Sequence, residues 1–156
     1  MLDRAFNSVY TKFKLHFYQS VFERFQTREA GLTTIETFCM EIIHALGTPT
    51  VNEFASFVRI SAPNAAYKIN HLIQKGYLRK VRSEQDRREY HLEPTQKYID
   101  YYNISYSYLS TVMDRIKERF SPEDVQKMEQ MLCVISGELM PEVSLPAPAE
   151  ESAQPL

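Results

Sequence analysis

Among 156 residues the chain has no tryptophan, only four glycines and only two cysteines. Each scarcity closes off a class of protein. Gly31, Gly47, Gly76 and Gly137 stand far apart, so no glycine-rich phosphate loop can form. Cys39 and Cys133 make no close-spaced ligand motif, and both sit in helical apolar patterns. They are expected to be buried thiols in a reducing compartment, not disulfide partners. No segment approaches the ~20 apolar residues of a membrane span, and Met1-Leu2-Asp3-Arg4 lacks the apolar core of a signal peptide. The expected location is the cytoplasm, with no membrane partner. No nucleophile–base pair and no metal triad stand out, which argues against an enzyme and against a bound cofactor.

A large charge surplus is also missing, because the net charge is only -2. Its distribution is uneven. Between Arg59 and Lys97 lie nine basic residues and four acids, a balance of +5 that leaves -7 on the rest of the chain. A basic segment on an acidic body is the electrostatic footprint of a nucleic-acid-binding element.

Hydrophobic periodicity marks the elements. Phe6, Tyr10, Phe13 and Phe17 recur every three or four residues, and Val21, Phe22 and Phe25 continue them, so the first thirty residues read as one long helix. Thr33 and Glu36 form a capping box for a second helix, which runs to about Leu46 and stops at Gly47-Thr48-Pro49. Thr50 and Glu53 form another, opening a short helix with Val51, Phe54, Ala55 and Val58 on one face. Ser61 caps the next helix, Pro63 falls in its first turn and Gly76 ends it. Tyr77–Val81 and Glu89–Leu92 read as two strands of a hairpin around Ser83–Arg87. Thr95 is expected to cap a long fifth helix with a 3-4 seam of Ile99, Tyr102, Tyr106, Leu109, Met113, Ile116 and Phe120. Ser121-Pro122-Glu123-Asp124 opens a sixth, whose stripe is Val125, Met128, Leu132, Ile135 and Leu139. Residues 140–156 show no hydrophobic period and read as a disordered tail.

Two short capped helices, a hairpin and a long helix make a mainly α chain. Its architecture is a winged helix-turn-helix over 33–94, flanked by helical dimerisation segments at 1–30 and 95–139, in one compact domain. In the helix from Ser61, the residues Ala65, Ile69 and Leu72 share an apolar face. Asn64, Tyr67, Lys68, His71 and Lys75 share the opposite face, which is expected to enter the major groove with Ser61 at its start also contacting DNA, and where Asn suits adenine and Lys suits guanine. Arg82, Arg87 and Arg88 in the wing suit a narrow minor groove. Asp86 among them is expected to orient a neighbouring arginine by a charge-assisted hydrogen bond.

The segment from Val51 to Thr95, with its Lys75-Gly76-Tyr77-Leu78 exit and Asp86-Arg87-Arg88 wing, resembles the MarR family of bacterial regulators. With the flanking helices the resemblance covers about Ala5 to Leu139. It implies a homodimer with interlocked terminal helices and two reading heads on a pseudo-palindromic operator of double-stranded DNA. It also implies that Arg88 enters the minor groove while Asp86 orients its loop. Asn64-Ala65-Ala66-Tyr67 departs from the family's usual Thr-Val-Thr-Arg run, so base preference is expected to be this chain's own. The wing is most similar to the branch controlling fatty-acid synthesis genes, which implies an acylated carrier protein as effector.

The seam of the fifth helix independently favours dimerisation, with Phe6, Tyr10, Phe13, Leu109, Met113, Ile116, Phe120, Leu132 and Ile135 as the burying residues. A small lipophilic effector could enter a cleft lined by Phe17, Tyr98, Tyr101 and Tyr102. Metal sensing is disfavoured: Glu41, His44 and Cys39 lie close together, but the fifth helix has neither His nor Cys. The competing function is a winged-helix protein-interaction module that does not bind DNA.

Overall fold

Residues 1–26, 31–83 and 86–145 are described by the computed structural model. Among them run α1 (Leu2–Gln26), α2 (Thr34–Ala45), α3 (Val51–Val58), α4 (Ala62–Gln74), β1 (Leu78–Arg82), β2 (Tyr90–Pro94), α5 (Gln96–Tyr102), α6 (Ile104–Arg119) and α7 (Pro122–Glu138). The end of the first helix at 27–30, Glu84 and Gln85 of the wing, and the tail 146–156 lie outside the described residues. The chain divides into two units, Met1–Asp114 and Arg115–Leu156.

Local chemistry fixes the helix starts as the capping patterns require. Thr33 and Thr50 each accept the backbone N–H three residues on, and Glu36 and Glu53 return the bond to Thr33 N and Thr50 N at 2.7 and 2.6 Å. Ser61 Oγ accepts the Asn64 N–H at 3.4 Å, with Pro63 in the first turn, where its missing donor costs nothing. Between α3 and α4 the chain turns through Arg59 at φ 58 and ψ 46. That left-handed conformation costs a non-glycine residue about 1–2 kcal/mol.

One core serves the whole reading head. Leu32, Met40 and Ile43 meet Phe54 and Ala55 of α3, Ala65, Ile69 and Leu72 of α4, Leu78 and Leu92 of the hairpin, and Tyr98 of α5. Full burial of each large side chain is worth about 1.5–3 kcal/mol, so this cluster holds α4 by its inner stripe and leaves its other side outward. β1 and β2 pair antiparallel, with Arg79 opposite Glu93 and Lys80 opposite Leu92. The approach to α3 adds a third, one-residue strand that the sequence reading missed: Thr50 bridges His91, and the Leu92 N–H donates to Pro49 O at 2.8 Å. Thr48-Pro49-Thr50 is too short and too turn-like to show a strand period. The strands themselves sit one or two residues later than expected, an ordinary boundary difference.

Three further expectations need correction. The fifth helix is not continuous: Asn103, at φ -73 and ψ 64, separates α5 from α6. The Tyr101-Tyr102-Asn103-Ile104-Ser105 stretch is built of weak helix formers, and a short polar side chain competes with the helical backbone there. Thr95 stands at the start of α5 without a capping side-chain bond. Its hydroxyl donates instead to Gly76 O at 2.7 Å, which ties the end of the wing to the end of α4. Cys133 is exposed, whereas Cys39 is buried.

Gly31 lies where a Cβ would run into the Tyr77 hydroxyl. Gly31→Ala is expected to lower stability by about 1–3 kcal/mol, measured by urea unfolding. Adding Tyr77→Phe should restore part of the loss.

Candidate nucleic-acid interface

In α4 the side directly opposite the buried stripe lies about a quarter turn from the face singled out in the sequence. Opposite the buried Ala65, Ile69 and Leu72 stand Pro63, Tyr67, Asn70 and Gln74, all exposed, with Tyr67 at 72%. Asn64 is exposed on the flank, and Ser61 is exposed with its hydroxyl engaged as a cap. Lys68, His71 and Lys75 point toward the start of α2. His71 Nδ1 pairs with Glu36 Oε1 at 3.2 Å, and Lys75 Nζ donates to Glu36 Oε2 at 2.7 Å. Lys68 lines a small groove with Thr33, Glu36 and Cys39. Periodicity identified the buried stripe, whereas the contacts of His71, Lys75 and Lys68 with the start of α2 could not be read from α4 alone.

Glu36 therefore does three jobs: it closes a capping box, and it clasps two residues of α4. Burial opposes its ionisation, but hydrogen bonds from Lys75, the Thr33 backbone and His71 outweigh that and hold its carboxyl down at about 2, from an ordinary 4.5. A depressed carboxyl stabilises the fold above its unfolded pKa, and the contribution disappears as pH falls through the folded value. The clasp is worth about 2 kcal/mol once solvent screening at the more exposed His71 and Lys75 is allowed for. Glu36→Gln is expected to lose that amount at pH 6, and to differ little from the parent as pH approaches 2. Urea unfolding across that range checks both ends.

Burial pushes the Cys39 thiol up, offset only in part by Lys68. A thiol so placed is a poor nucleophile, which argues against this residue as an oxidant sensor.

The wing presents its arginines on an ordered frame. Ser83 N–H donates to Glu89 O and Glu89 N–H to Asp86 O, each at 3.0 Å. Asp86 Oδ1 accepts the Arg88 backbone N–H at 2.9 Å, and Arg82 Nε donates to Arg87 O at 2.7 Å. Asp86 thus bonds a neighbouring arginine, and does so through the Arg88 backbone N–H. A short acidic side chain reaches an amide two residues on more readily than it reaches a long arginine head. Arg79 is spent on its cross-strand partner Glu93 at 2.7 Å, whereas Arg82, Arg87 and Arg88 stay exposed.

Beyond the head, Phe6, Tyr10, Leu109, Phe120 and Leu132 are exposed, and Phe13, Met113, Ile116 and Ile135 are half-buried. No residue of α7 is buried. Of the residues expected to line an effector cleft, Tyr98 and Phe17 fall in different surroundings. Tyr98 is fully buried, its hydroxyl donating to Glu41 Oε1 at 2.6 Å, so it belongs to the core. The side chains of Tyr101 and Tyr102 lie outside what is described. Phe17 instead lines an aromatic groove of about 390 Å³ with Tyr10, Phe13, Phe38 and Tyr108, edged by Lys14 and His16. His16 stacks on Tyr108 with ring centroids 3.6 Å apart. Tyr108 falls off the 3-4 seam, and so escaped periodicity.

A helix pair with its second member facing outward, followed by a basic hairpin, defines the winged helix-turn-helix class. Residues 32–90 match the model of the MarR family. The fold of solved MarR-type proteins extends over most of the chain. FabT of Streptococcus pneumoniae, solved in complex with DNA, is similar at 21% identity and a TM-score of 0.58, over 91% of this chain and 97% of that one. A mutant MepR from a multidrug-resistant clinical isolate of Staphylococcus aureus gives 16% and 0.60, over 89% and 97%. A MarR family protein from Bacillus stearothermophilus gives 14% and 0.59, over 89% and 93%. No curated protein matches the chain. Among the described residues no helix is long and apolar enough to cross a membrane.

Proposed function

We propose that the chain is a homodimeric, sequence-specific DNA-binding transcriptional regulator whose affinity is tuned by a small lipophilic or acyl-carrier effector. The observation that carries this reading is the placement of an exposed polar face on α4 beside three exposed wing arginines. A helix sized for the major groove and guanidinium groups suited to the adjoining minor groove are the two contacts a winged helix needs. FabT has been solved with DNA and MepR with ethidium bromide, and both likenesses favour the same assignment here.

Exposed apolar surface supports dimerisation. α7 carries Val125, Met128, Leu132 and Ile135, with Leu139 at its C-cap; Leu132 and Leu139 are exposed, the other three are half-buried, and no residue of the helix is fully buried. Exposed apolar surface on this scale marks an association face. A second copy supplies it symmetrically and brings two heads to a pseudo-palindromic operator. The aromatic groove, with Lys14 and His16 at its edge, suits an apolar ligand bearing a negative group. A cytoplasmic, non-catalytic protein is in keeping with this DNA-binding reading.

Selection of genomic fragments by the purified full chain tests the reading. Enrichment of a short inverted repeat near particular genes is expected. Recovery of fragments without any shared sequence would favour a protein-interaction module instead.

A further inference from the structure

The DNA-binding reading leaves open which side chains choose the bases. We infer that Asn70 of α4 and Lys80 of β1 act as one donor pair that selects guanine in each half-site, with Gln74 reading a neighbouring pair. The inference rests on the proposed DNA binding, but not on any feature the family pattern marks.

Three observations carry it. First, the side of α4 directly opposite Ala65, Ile69 and Leu72 holds Asn70 and Gln74, both exposed, while Lys68, His71 and Lys75 turn toward α2. Second, Lys80 follows the buried Leu78 on the inner face of β1, opposite the buried Leu92, and emerges past the edge of the core against α4. There its Nζ donates to Asn70 Oδ1 at 3.5 Å. Third, that contact, long for a hydrogen bond, favours one orientation of the amide. With its oxygen facing an ammonium, Asn70 presents its NH2, and the ammonium beside it adds further N–H groups.

A cluster of donors matches guanine, which shows two acceptors, N7 and O6, in the major groove. Adenine shows one acceptor and one donor, and needs an amide with its oxygen open. Lys80 therefore converts a residue that alone suits adenine into part of a guanine reader. Gln74 lies one helical turn on, ~6 Å along the axis. With a base step of ~3.4 Å, it meets a pair about two steps away.

The test is selection from a randomised duplex library by the full-length parent, Asn70→Ala, Lys80→Met and Lys68→Ala, with thermal melting to confirm that each is folded. The parent should select a guanine in each half-site. Asn70→Ala should flatten the preference at that one position, by about tenfold. Lys80→Met should move it from guanine toward adenine, because the amide oxygen is freed. Lys68→Ala should leave the motif unchanged. If a selective parent keeps the same motif after both Asn70→Ala and Lys80→Met, this inference is overturned while the DNA-binding reading stands. If the parent itself shows no sequence preference, both are overturned.

Discussion

Leu132→Glu is expected to convert the protein to a monomer and to weaken operator binding by about 100-fold or more. Leu132 stands in the middle of the α7 stripe and is 47% exposed in the isolated chain, and no residue of that helix is buried. In a dimer the stripe would be covered, and a carboxylate placed there would lose its hydration without a partner. A monomer has to bind one half-site alone. It forfeits the effective concentration that a second tethered head provides, a factor of about 10²–10⁴. Gln130→Glu, on the exposed opposite side of α7, carries the same charge and should change neither property. Light scattering reports the assembly and titration against a selected duplex reports the affinity. A Leu132→Glu protein that stayed dimeric and bound normally would remove the basis for the interface.

The second large effect is expected from the wing. Replacing Arg87 and Arg88 together by alanine should lower affinity for every duplex by about 10- to 100-fold at moderate salt, and make the salt dependence shallower by about two ions. Both side chains are exposed, and the loop is held by backbone bonds to Asp86, Glu89 and Ser83. Removing the guanidinium groups therefore costs contacts and not fold, and the melting temperature should stay within a few degrees. Asp86→Ala is the informative contrast. It loosens the loop without removing a positive charge, so it should cost less affinity and keep the parental salt slope.

The elements of the head were legible because their signals are local. Two Thr-x-x-Glu boxes, Pro63 after Ser61, Gly76 at φ +77 and the periodic apolar stripes mark starts, stops and inner faces without tertiary context. What failed depended on contacts between distant residues. The engagement of His71 and Lys75 turns on Glu36, 35 residues before His71 and 39 before Lys75, and no pattern within α4 records it. Thr95 has the sequence of a cap, but its hydroxyl is claimed by Gly76 from the other end of the hairpin. Tyr98 and Phe17 both read as aromatic lining, yet only Phe17 faces open space, because Glu41 draws the Tyr98 hydroxyl inward. Asn70 touches a side chain that α4 itself does not supply. Its partner Lys80 lies on another element, so the pair exists only in three dimensions.

The most direct test of the central claim is the affinity of the purified protein for its selected duplex as salt is raised from about 50 to 200 mM. A head that works through α4 and the arginine wing should lose affinity steeply, by about 10³-fold or more if a dimer makes six or more phosphate contacts. It should also keep a preference for the selected sequence over a scrambled one throughout. Binding that does not change with salt, or that never distinguishes the two duplexes, would contradict the account.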